Sequence, residues 1–344
     1  MRRLVVNLRD ARPIWSIPPW AVEEIRAAAE PRFEVVVVDA LADGRGDGGP
    51  ASSEAVAAIE GAEIHLGYGF PKPLFQAAAA SGDALRWVHS ASAGIGGALY
   101  PEMRESSIVL TNSAGIHAEP MADSVLAAIL YFARGLDFAV DEQRARRWGK
   151  DRFEGIDSSL HELAGTTVGI LGYGGIGRAI ARRALALGMR VLAFRRRDAA
   201  AEEGIELLFG DAGLARILAE SQYLVLALPR TAETEGLLDR QRIASLPPDT
   251  VVINVGRGEL IDESALAAAL AAGRLRGAAL DVFVQEPLPP ESPFWGLPNV
   301  LVTPHVSATT HRFWRRELDL ILENLRRYER GEPLLNTVDK AAGY

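Results

Sequence analysis

The chain has 344 residues, which is enough for two domains with separate hydrophobic cores. Apolar residues make up 48% and charged residues 24%, as in globular proteins, and the net charge of −8 argues against nucleic acid as a partner. Because there is no cysteine, disulfides, zinc–thiolate sites and thiol nucleophiles are excluded, and we predict no metal site. No apolar run is long enough to span a membrane, and the N-terminal apolar segment is too short for a signal peptide. We therefore expect a cytoplasmic protein without a membrane partner.

The first third of the chain alternates short apolar runs with helix-like segments. Strands are predicted at residues 4–7, 33–38, 62–67, 85–89 and 108–111, and helices at residues 20–29, 54–59 and 73–80. This alternation indicates a parallel sheet with helices on its faces.

One long helical pattern covers residues 119–148. Met121, Val125, Ile129, Phe132 and Leu136 recur at steps of three and four residues, and further apolar residues widen this stripe. A core helix would explain a narrower stripe. We therefore predict a helix that joins two domains or packs on a second subunit, and with it a homodimer.

A second strand–helix series starts with a glycine-rich turn. Residues 167–171 are a predicted strand, Gly172, Gly174 and Gly177 give the spacing G-x-G-x-x-G, and a helical pattern begins at Arg178. In this context the first glycine permits a tight turn, the second lets backbone approach a pyrophosphate, and the third lets helix pack on strand. The pattern predicts a dinucleotide-binding site, and a purely structural turn is the alternative.

The rest of the chain continues the same alternation. Strands are predicted at residues 190–194, 223–228, 251–254, 277–282 and 300–303, with a helix at residues 262–272 that ends at Gly273. A final amphipathic helix begins after Thr309, carries Trp314, Leu318, Ile321, Leu322, Leu325 and Tyr328 on one stripe, and stops at Gly331 and Pro333.

Four charged or titratable residues follow predicted strands, where open α/β sheets bind ligands. Arg257 lies between two glycines, Asp281 and Glu286 end and follow the next strand, and His305 comes directly after the last one. A surface ion pair would explain Arg257 or Glu286 alone, and a hydrogen-bonded loop histidine would explain His305. Together they predict a carboxylate anchor, a carboxylate that orients a histidine, and a general acid–base.

Several segments carry a family resemblance. They are GYGGIGR (172–178), NVGRGELID (254–262), LDVFVQEPL (280–288) and TPH (303–305), with SASAGI (90–95) and TNSAGIHAE (111–119) before them. In this order they resemble the D-isomer specific D-2-hydroxyacid dehydrogenase family, most closely its NADPH-dependent glyoxylate/hydroxypyruvate reductase members. The resemblance implies an α/β fold of two doubly wound parallel-sheet domains with the substrate in the cleft. Residues 1–117 plus 309–344 would form a flavodoxin-like substrate domain, and residues 118–308 a Rossmann-type dinucleotide-binding domain.

The resemblance also implies the reaction, in which a small 2-keto acid and its D-2-hydroxy acid are interconverted with a nicotinamide cofactor. Arg257 would bind the substrate carboxylate and carbonyl oxygen, His305 would be the acid–base, and Glu286 would orient His305 and favour its protonated form. Backbone N–H groups at Ala93 and Gly94 would also hold the carboxylate. Asp281 would bind the nicotinamide amide. The full set of predicted cofactor-binding residues is Gly172, Tyr173, Gly174, Gly175, Ile176, Gly177, Arg195, Arg196, Pro229, Thr234, Val255 and Asp281.

The coenzyme prediction depends on the residues that come after the strand at 190–194. NAD-binding folds carry an acidic residue there for the ribose 2′-OH, whereas this chain has Arg195, Arg196 and Arg197 before its first acid, Asp198. Guanidinium groups suit the 2′-phosphate of NADP, and alternation of side chains lets two of the three reach it. We predict Arg195 and Arg196, with Arg197 pointing away, so NADP is preferred and NAD is possible. The alternative is a solvated basic run.

Three other functions are compatible with parts of the pattern. A D-3-phosphoglycerate dehydrogenase is disfavoured because the acidic residue is missing, and we expect no regulatory domain after Tyr344. A relative acting on formate is disfavoured because it would carry glutamine in place of Glu286. A nucleotide-sensing, corepressor-like protein would keep the fold with little turnover. Which 2-hydroxy acid is used stays open. First-domain loops near Tyr68 and Phe70, together with Trp148 or Trp295, are the candidates to close the pocket.

Overall fold

The computed structural model describes residues 2–42, 51–155, 158–196, 202–341 and 343. The chain divides into two compact units. The terminal unit combines Met1–His117 with Thr309–Tyr344, and the inserted unit is Ala118–Ala308. Arg197 and Asp198, which enter the coenzyme prediction, lie outside the described residues. In the described part of the chain, no helix is both long and apolar enough to cross a membrane.

The terminal unit is built on a five-stranded parallel sheet. Its strands are β1 (Arg2–Asn7), β2 (Phe33–Val37), β3 (Ile64–Gly67), β4 (Trp87–Ser90) and β5 (Val109–Asn112), and its first helices are α1 (Pro19–Ala29), α2 (Ser53–Ile59), α3 (Lys72–Ala80) and α4 (Pro101–Glu105). The strand order is β2-β1-β3-β4-β5. Because side chains alternate along a strand, Leu4 and Val6 enter one core and Val5 the other. The strands and helices predicted for this unit are confirmed to within two residues, whereas α4 was not predicted.

The inserted unit is built on a seven-stranded parallel sheet. Its strands are β6 (Thr167–Leu171), β7 (Arg190–Phe194), β8 (Ile205–Leu208), β9 (Tyr223–Leu226), β10 (Val251–Asn254), β11 (Gly277–Leu280) and β12 (Val300–Val302). Its helices are α5 (Ala118–Ala133), α6 (Leu136–Arg144), α7 (Asp151–Glu154), α8 (Gly175–Ala186), α9 (Gly210–Glu220), α10 (Arg240–Ser245) and α11 (Glu263–Ala271). The strand order is β12-β11-β10-β9-β6-β7-β8. Strands β7 and β8 extend the sheet on one side of β6, and β9 to β12 extend it on the other side, so the order of addition switches between β6 and β9. That switch point is the place where doubly wound sheets bind ligands.

The prediction of one continuous helix at residues 119–148 is wrong. α5 ends at Ala133 and α6 starts at Leu136, because Gly135 between them has a φ of +63°. A right-handed helix cannot continue through a left-handed residue. A Cβ at position 135 would also stand only 2.7 Å from Leu160, so close packing requires glycine at this break.

The last helix, α12 (Phe313–Arg330), belongs to the terminal unit and ends at Gly331, which has a φ of +68°. The predicted apolar stripe is confirmed, with its central residues buried and Leu322 and Tyr328 partly buried. Two polar side chains, Glu317 and Asn324, are fully buried beside it. The Asn324 side chain donates to the Leu335 carbonyl and accepts the Leu335 N–H. Glu317 Oε1 lies 2.8 Å from Nε2 of His89 on β4. This polar contact was not visible in the periodicity.

Candidate active site

The glycine turn after β6 has the shape that a dinucleotide requires. Gly172 has a φ of +105°, which favours glycine, and a Cβ there would stand 2.6 Å from the Ala227 carbonyl oxygen. A Cβ on Gly177 would collide with the Gly172 carbonyl oxygen, so α8 approaches β6 only because that side chain is missing. A Cβ on Gly174 would meet no atom within 4 Å, so the space in front of the turn is open. These environments match the three roles expected of the spacing.

The first turn of α8 is suited to phosphate. Gly174 is the N-cap residue and no side chain caps the helix. Gly175 and Ile176 therefore present backbone N–H groups at the positive end of the helix dipole. Tyr173 is buried, and its hydroxyl donates a hydrogen bond of 2.6 Å to Glu202 Oε2. A pyrophosphate group fits this turn without displacing a capping side chain.

Arg195 and Arg196 lie at the carboxyl end of β7. The Arg195 N–H donates to the Leu208 carbonyl of β8 over 3.3 Å, so the backbone still follows the sheet, and its side chain is half-buried. The Arg196 side chain is exposed, and its Nη1 donates to Glu233 Oε2 over 3.1 Å. Two guanidinium groups therefore stand at the edge of the sheet where an NAD-binding fold carries a carboxylate.

The next loop along this edge follows β9 and contains Pro229 and Thr234. The Thr234 hydroxyl donates to the Pro229 carbonyl over 2.7 Å and accepts the Thr231 N–H over 2.8 Å, so the loop is closed on itself. Val255, after β10, is buried and donates its N–H to the Leu226 carbonyl over 3.1 Å. These residues lie along the edge of the sheet between the glycine turn and the end of β10.

Arg257 is presented by a tight turn after β10. The side chain of Asn254 holds this turn, since its Oδ1 accepts the Gly256 N–H over 3.0 Å and its Nδ2 donates to the Arg257 carbonyl over 2.9 Å. A Cβ on Gly258 would collide with the backbone of Phe283, so the turn lies directly against the chain that follows β11. The Arg257 guanidinium is exposed and donates to the Gly256 carbonyl over 2.7 Å. Its remaining N–H groups can bind a planar carboxylate.

His305 and Glu286 meet beyond the ends of β11 and β12. His305 Nδ1 lies 2.7 Å from Glu286 Oε2, and the other carboxylate oxygen, Oε1, accepts the Phe283 N–H over 3.0 Å. The carboxylate is thus fixed at both oxygens, and it fixes the imidazole so that Nε2 points away from it. The His305 side chain is half-exposed, so it is accessible from solvent.

Asp281 holds the loop that carries His305. Its buried carboxylate accepts the Thr303 hydroxyl at 2.5 Å, the Val306 N–H at 2.9 Å and the Ser307 N–H at 3.0 Å. His305 has a φ of +53°, a left-handed conformation that costs a non-glycine residue roughly 1–2 kcal/mol. The three bonds to Asp281 stabilise the loop in this conformation. Asp281 therefore has a structural role in this loop. Its contact with the nicotinamide amide stays a prediction.

Ala93 and Gly94 belong to the terminal unit, in the loop after β4. Both are exposed. The Asn112 side chain donates to the Ala93 carbonyl over 2.9 Å, which fixes the peptide that leads to the Gly94 N–H. Tyr68 and Phe70 of the same unit are buried, and closure of the pocket by the loops near them stays a prediction. Trp148 and Trp295 are both exposed.

The predicted residues of the inserted unit follow six strands along one edge of the sheet. In sheet order they are His305 after β12, Asp281 and Glu286 after β11, Val255 and Arg257 after β10, Pro229 and Thr234 after β9, the glycine turn after β6, and Arg195 and Arg196 after β7. Sequence reasoning missed Asn254, Glu202 and Glu233. An asparagine that ends a strand before a glycine signals a local turn bond, whereas the partners of Glu202 and Glu233 are too distant in sequence to infer.

Comparison with known proteins identifies the family. Residues 126–307 match the family model "D-isomer specific 2-hydroxyacid dehydrogenase, NAD binding domain". The chain belongs to this family. Family membership makes it an NAD(P)-dependent oxidoreductase of 2-hydroxy acids, as the resemblance implied, and the predicted fold of two parallel-sheet α/β domains is confirmed.

Individual proteins of the family show which members this chain resembles. The chain is 37% identical to glyoxylate/hydroxypyruvate reductase B of Pectobacterium atrosepticum over 84% of this chain and 86% of the relative. Its fold matches a D-isomer specific 2-hydroxyacid dehydrogenase from Xanthobacter autotrophicus, solved with NADPH and MES, with a TM-score of 0.79 and 32% identity over 100% and 99% of the two chains. It also matches the NADPH-dependent glyoxylate/hydroxypyruvate reductase of Sinorhizobium meliloti, solved with NADP and sulfate, with a TM-score of 0.77 and 30% identity over 100% of both chains. Phosphoglycerate dehydrogenases are more partial matches, since the aligned region covers 44% of the one from Archaeoglobus fulgidus.

Proposed function

We propose that this dehydrogenase is an NADPH-linked reductase of a small 2-keto acid of the glyoxylate/hydroxypyruvate type, which it converts to the D-2-hydroxy acid. The observation that carries the proposal is the 2.7 Å contact between His305 Nδ1 and Glu286 Oε2, made at the carboxyl edge of a sheet that also carries the glycine turn and Arg257. This set contains the proton donor, the group that orients it and a carboxylate anchor.

Each of these side chains has one task in the proposed reaction. Arg257 binds the substrate carboxylate through two parallel hydrogen bonds and polarises the keto oxygen. His305 donates the Nε2 proton to that oxygen, while Glu286 holds Nδ1 and stabilises the imidazolium before transfer. The dinucleotide, when bound, supplies the hydride. Asp281 keeps His305 at its position, and we retain its contact with the nicotinamide amide as part of the proposal.

The roles of the two units, one as dinucleotide-binding domain and the other as substrate domain, are also part of the proposal. The inserted unit, residues 118–308, is the dinucleotide-binding domain, with Gly172, Tyr173, Gly174, Gly175, Ile176, Gly177, Arg195, Arg196, Pro229, Thr234 and Val255 at the cofactor. The terminal unit, residues 1–117 plus 309–344, is the substrate domain, and the exposed loop at Ala93 and Gly94 supplies backbone N–H groups to the substrate carboxylate. A helix start without a capping side chain and an open space at Gly174 support the first assignment.

NADPH is the proposed coenzyme because two arginines follow β7. NADP and NADPH are named in the two structures of similar proteins described above. The 2′-phosphate carries nearly two negative charges, which guanidinium groups recognise and a ribose 2′-OH does not offer. NADH remains a weaker alternative.

A homodimer in the cytoplasm completes the proposal. Leu130 on α5, Leu136 at the start of α6 and Trp148 beyond α6 are all exposed, and Trp148 is 92% exposed. A large apolar side chain in water at that level is typical of a protein–protein interface. A second copy of this chain is the partner that we propose for these three side chains.

Coenzyme oxidation against a panel of 2-keto acids tests the proposal. We expect NADPH oxidation with glyoxylate or hydroxypyruvate, slower oxidation of NADH, and D-glycerate as the product from hydroxypyruvate by chiral chromatography. The panel includes 3-phosphohydroxypyruvate, since a clear preference for it would favour a phosphoglycerate dehydrogenase instead. Cofactor binding without turnover on any keto acid would favour the nucleotide-sensing alternative.

A further inference from the structure

In the described part of the chain, five charged side chains lie at the edge of the sheet between the glycine turn and the end of β7. Three are arginines, Arg178, Arg195 and Arg196, and two are carboxylates, Glu202 and Glu233. Arg178 Nη1 donates to Glu202 Oε1, and Arg196 Nη1 donates to Glu233 Oε2 over 3.1 Å. Two of the three arginines at this edge are therefore already paired with an anion.

Tyr173 joins these groups to the glycine turn. Its hydroxyl donates to Glu202 Oε2 over 2.6 Å, and the guanidinium carbon of Arg178 lies 4.9 Å from the centre of its ring. Burial raises the pKa of the Tyr173 phenol, while the positive charges of Arg178 and Arg195 act in the opposite direction. The Gly172 N–H donates to the Phe194 carbonyl over 3.0 Å, so Arg195, the next residue, lies beside the same turn. Tyr173, Arg178, Arg195 and Glu202 form one cluster beside the turn.

We propose that Arg178 is a third cation of the NADP 2′-phosphate site, and that Glu202 and Glu233 are resident anions which the phosphate displaces. This inference rests on the proposed NADPH-linked function. In the pairs seen here, each glutamate neutralises an arginine that the phosphate needs. Binding of NADP is then an exchange of one anion for another at the same guanidinium groups.

The exposure of these pairs suits such an exchange. The side chains of Arg178 and Glu202 are 47% and 37% exposed, and those of Arg196 and Glu233 are 53% and 67% exposed. Ion pairs this exposed contribute little stability and are screened by salt. A phosphate with nearly two charges and three acceptor oxygens forms stronger contacts with the same groups, so it displaces the carboxylates readily.

Both glutamates consequently limit the coenzyme preference. Among the residues that the structure describes here, three arginines and two carboxylates sum to one positive charge, so the glutamates offset part of the attraction between the arginines and a dianionic phosphate. The same pairing leaves the edge nearly neutral when the ribose carries a 2′-OH, so NADH is not excluded by unpaired cations. Removing either negative charge is expected to strengthen binding of the 2′-phosphate and to leave ligands without it unchanged.

Adenosine 2′,5′-bisphosphate and 5′-AMP isolate this effect, because they differ only in the 2′-phosphate. We would titrate both into the full-length protein by calorimetry at low salt, with wild type, Glu202→Gln, Glu233→Gln and the double variant. The matched control is Glu220→Gln, since Glu220 Oε2 also accepts an arginine, Arg190, over 2.7 Å but lies at the end of α9. Each single variant should bind the bisphosphate about two- to fivefold more tightly, the scale of one exposed ion pair. Binding of 5′-AMP, and both ligands with Glu220→Gln, should not change.

The opposite results separate this inference from the proposed function. Weaker or unchanged bisphosphate binding in Glu202→Gln and Glu233→Gln, or an equal gain for 5′-AMP, would overturn the displacement. A wild-type protein that binds both nucleotides equally would instead contradict NADPH as the coenzyme. Arg178→Gln provides a second measurement, since it should weaken the bisphosphate and spare 5′-AMP. An equal loss for both nucleotides would show that Arg178 serves the phosphate at the glycine turn.

Discussion

His305 Nδ1 and Glu286 Oε2 lie 2.7 Å apart although the two residues follow different strands, β12 and β11. The contact leaves Nε2 as the nitrogen that can serve a substrate. Glu286 also accepts the Phe283 N–H through its second oxygen, so it cannot rotate freely. The pair is therefore held in a fixed geometry, as the proposed proton donor requires, and is not a flexible surface ion pair.

Substitutions in this pair should affect turnover more than binding. His305→Gln removes the general acid and should lower kcat by roughly 10²-fold or more. Glu286→Gln should lower kcat less, because the amide can still accept from Nδ1 while losing the charge that stabilises the imidazolium. Steady-state kinetics together with NADPH titration check both effects. Near-normal kcat in His305→Gln would mean that another group is the acid.

Asp281→Asn separates the structural part of Asp281 from its predicted nicotinamide contact. The carboxylate accepts three donors, and an amide must turn its own N–H groups toward at least one of them. An unsatisfied buried bond of this kind costs about 1–3 kcal/mol, so we expect a lower free energy of unfolding and a lower kcat. Denaturant unfolding measures the first and coenzyme oxidation the second.

Asp239→Asn is the matched control for that experiment. Asp239 caps α10 by accepting the Arg242 N–H over 2.8 Å, and asparagine caps helices equally well. This variant should keep wild-type stability. If Asp281→Asn also keeps it but loses affinity for nicotinamide coenzymes, the role of Asp281 lies in cofactor binding and not in holding the His305 loop.

Much of the site was predictable because it is local in sequence. The glycine turn, Arg257 and His305 each follow a strand directly, and parallel strands bring their carboxyl ends to one edge. The bonds of Asp281 to Val306 and Ser307 were not predictable, because they join residues brought near only by the pairing of β11 and β12. The contacts of Glu202 and Glu233 were not predictable either, because their partners are also distant in sequence.

The helix break at Gly135 shows a different limit. Apolar periodicity continues across it, from Phe132 to Leu136, so the pattern alone indicates one helix. Glycine is tolerated inside helices at moderate cost, and it is the close approach of Leu160 that leaves no room for a Cβ at this position. That packing is a tertiary fact, outside the reach of a local pattern.

A buried histidine should make stability depend on pH. His65 on β3 is fully buried, and burial, with a smaller effect of neighbouring His89, lowers its pKa from 6.5 to about 3. Between these values the unfolded chain binds a proton that the folded chain does not, so stability falls as pH falls. His65→Leu should reduce the loss of unfolding free energy between about pH 6.5 and pH 4 relative to wild type.

The proposed dimer predicts a sensitive position on α5. Leu130→Glu places a charge on an exposed apolar surface, so it should weaken self-association without disturbing a core. Sedimentation velocity at micromolar concentration should show a dimer for wild type and a larger monomer fraction for the variant. Leu187→Glu, at an equally exposed leucine that follows α8, should remain dimeric. A monomeric wild type would end the proposal.

Coenzyme choice joins sequence and chemistry most directly. Arg195 and Arg196 follow β7, and each charge-assisted bond to a 2′-phosphate contributes on the order of 1.5–3 kcal/mol. Two such bonds would favour NADPH over NADH by roughly 10²–10⁴-fold, and the partial exposure of both side chains places our expectation at the lower end. Arg195→Asp combined with Arg196→Ala should move the preference toward NADH, because the new carboxylate accepts a ribose 2′-OH and repels phosphate. The ratio of kcat/KM values for the two coenzymes, measured at low and high salt, checks this.

The wild-type ratio should shrink as salt rises, since exposed charges are screened. Equal or better kcat/KM with NADH at low salt in the wild type would mean that the arginines form only a solvated surface.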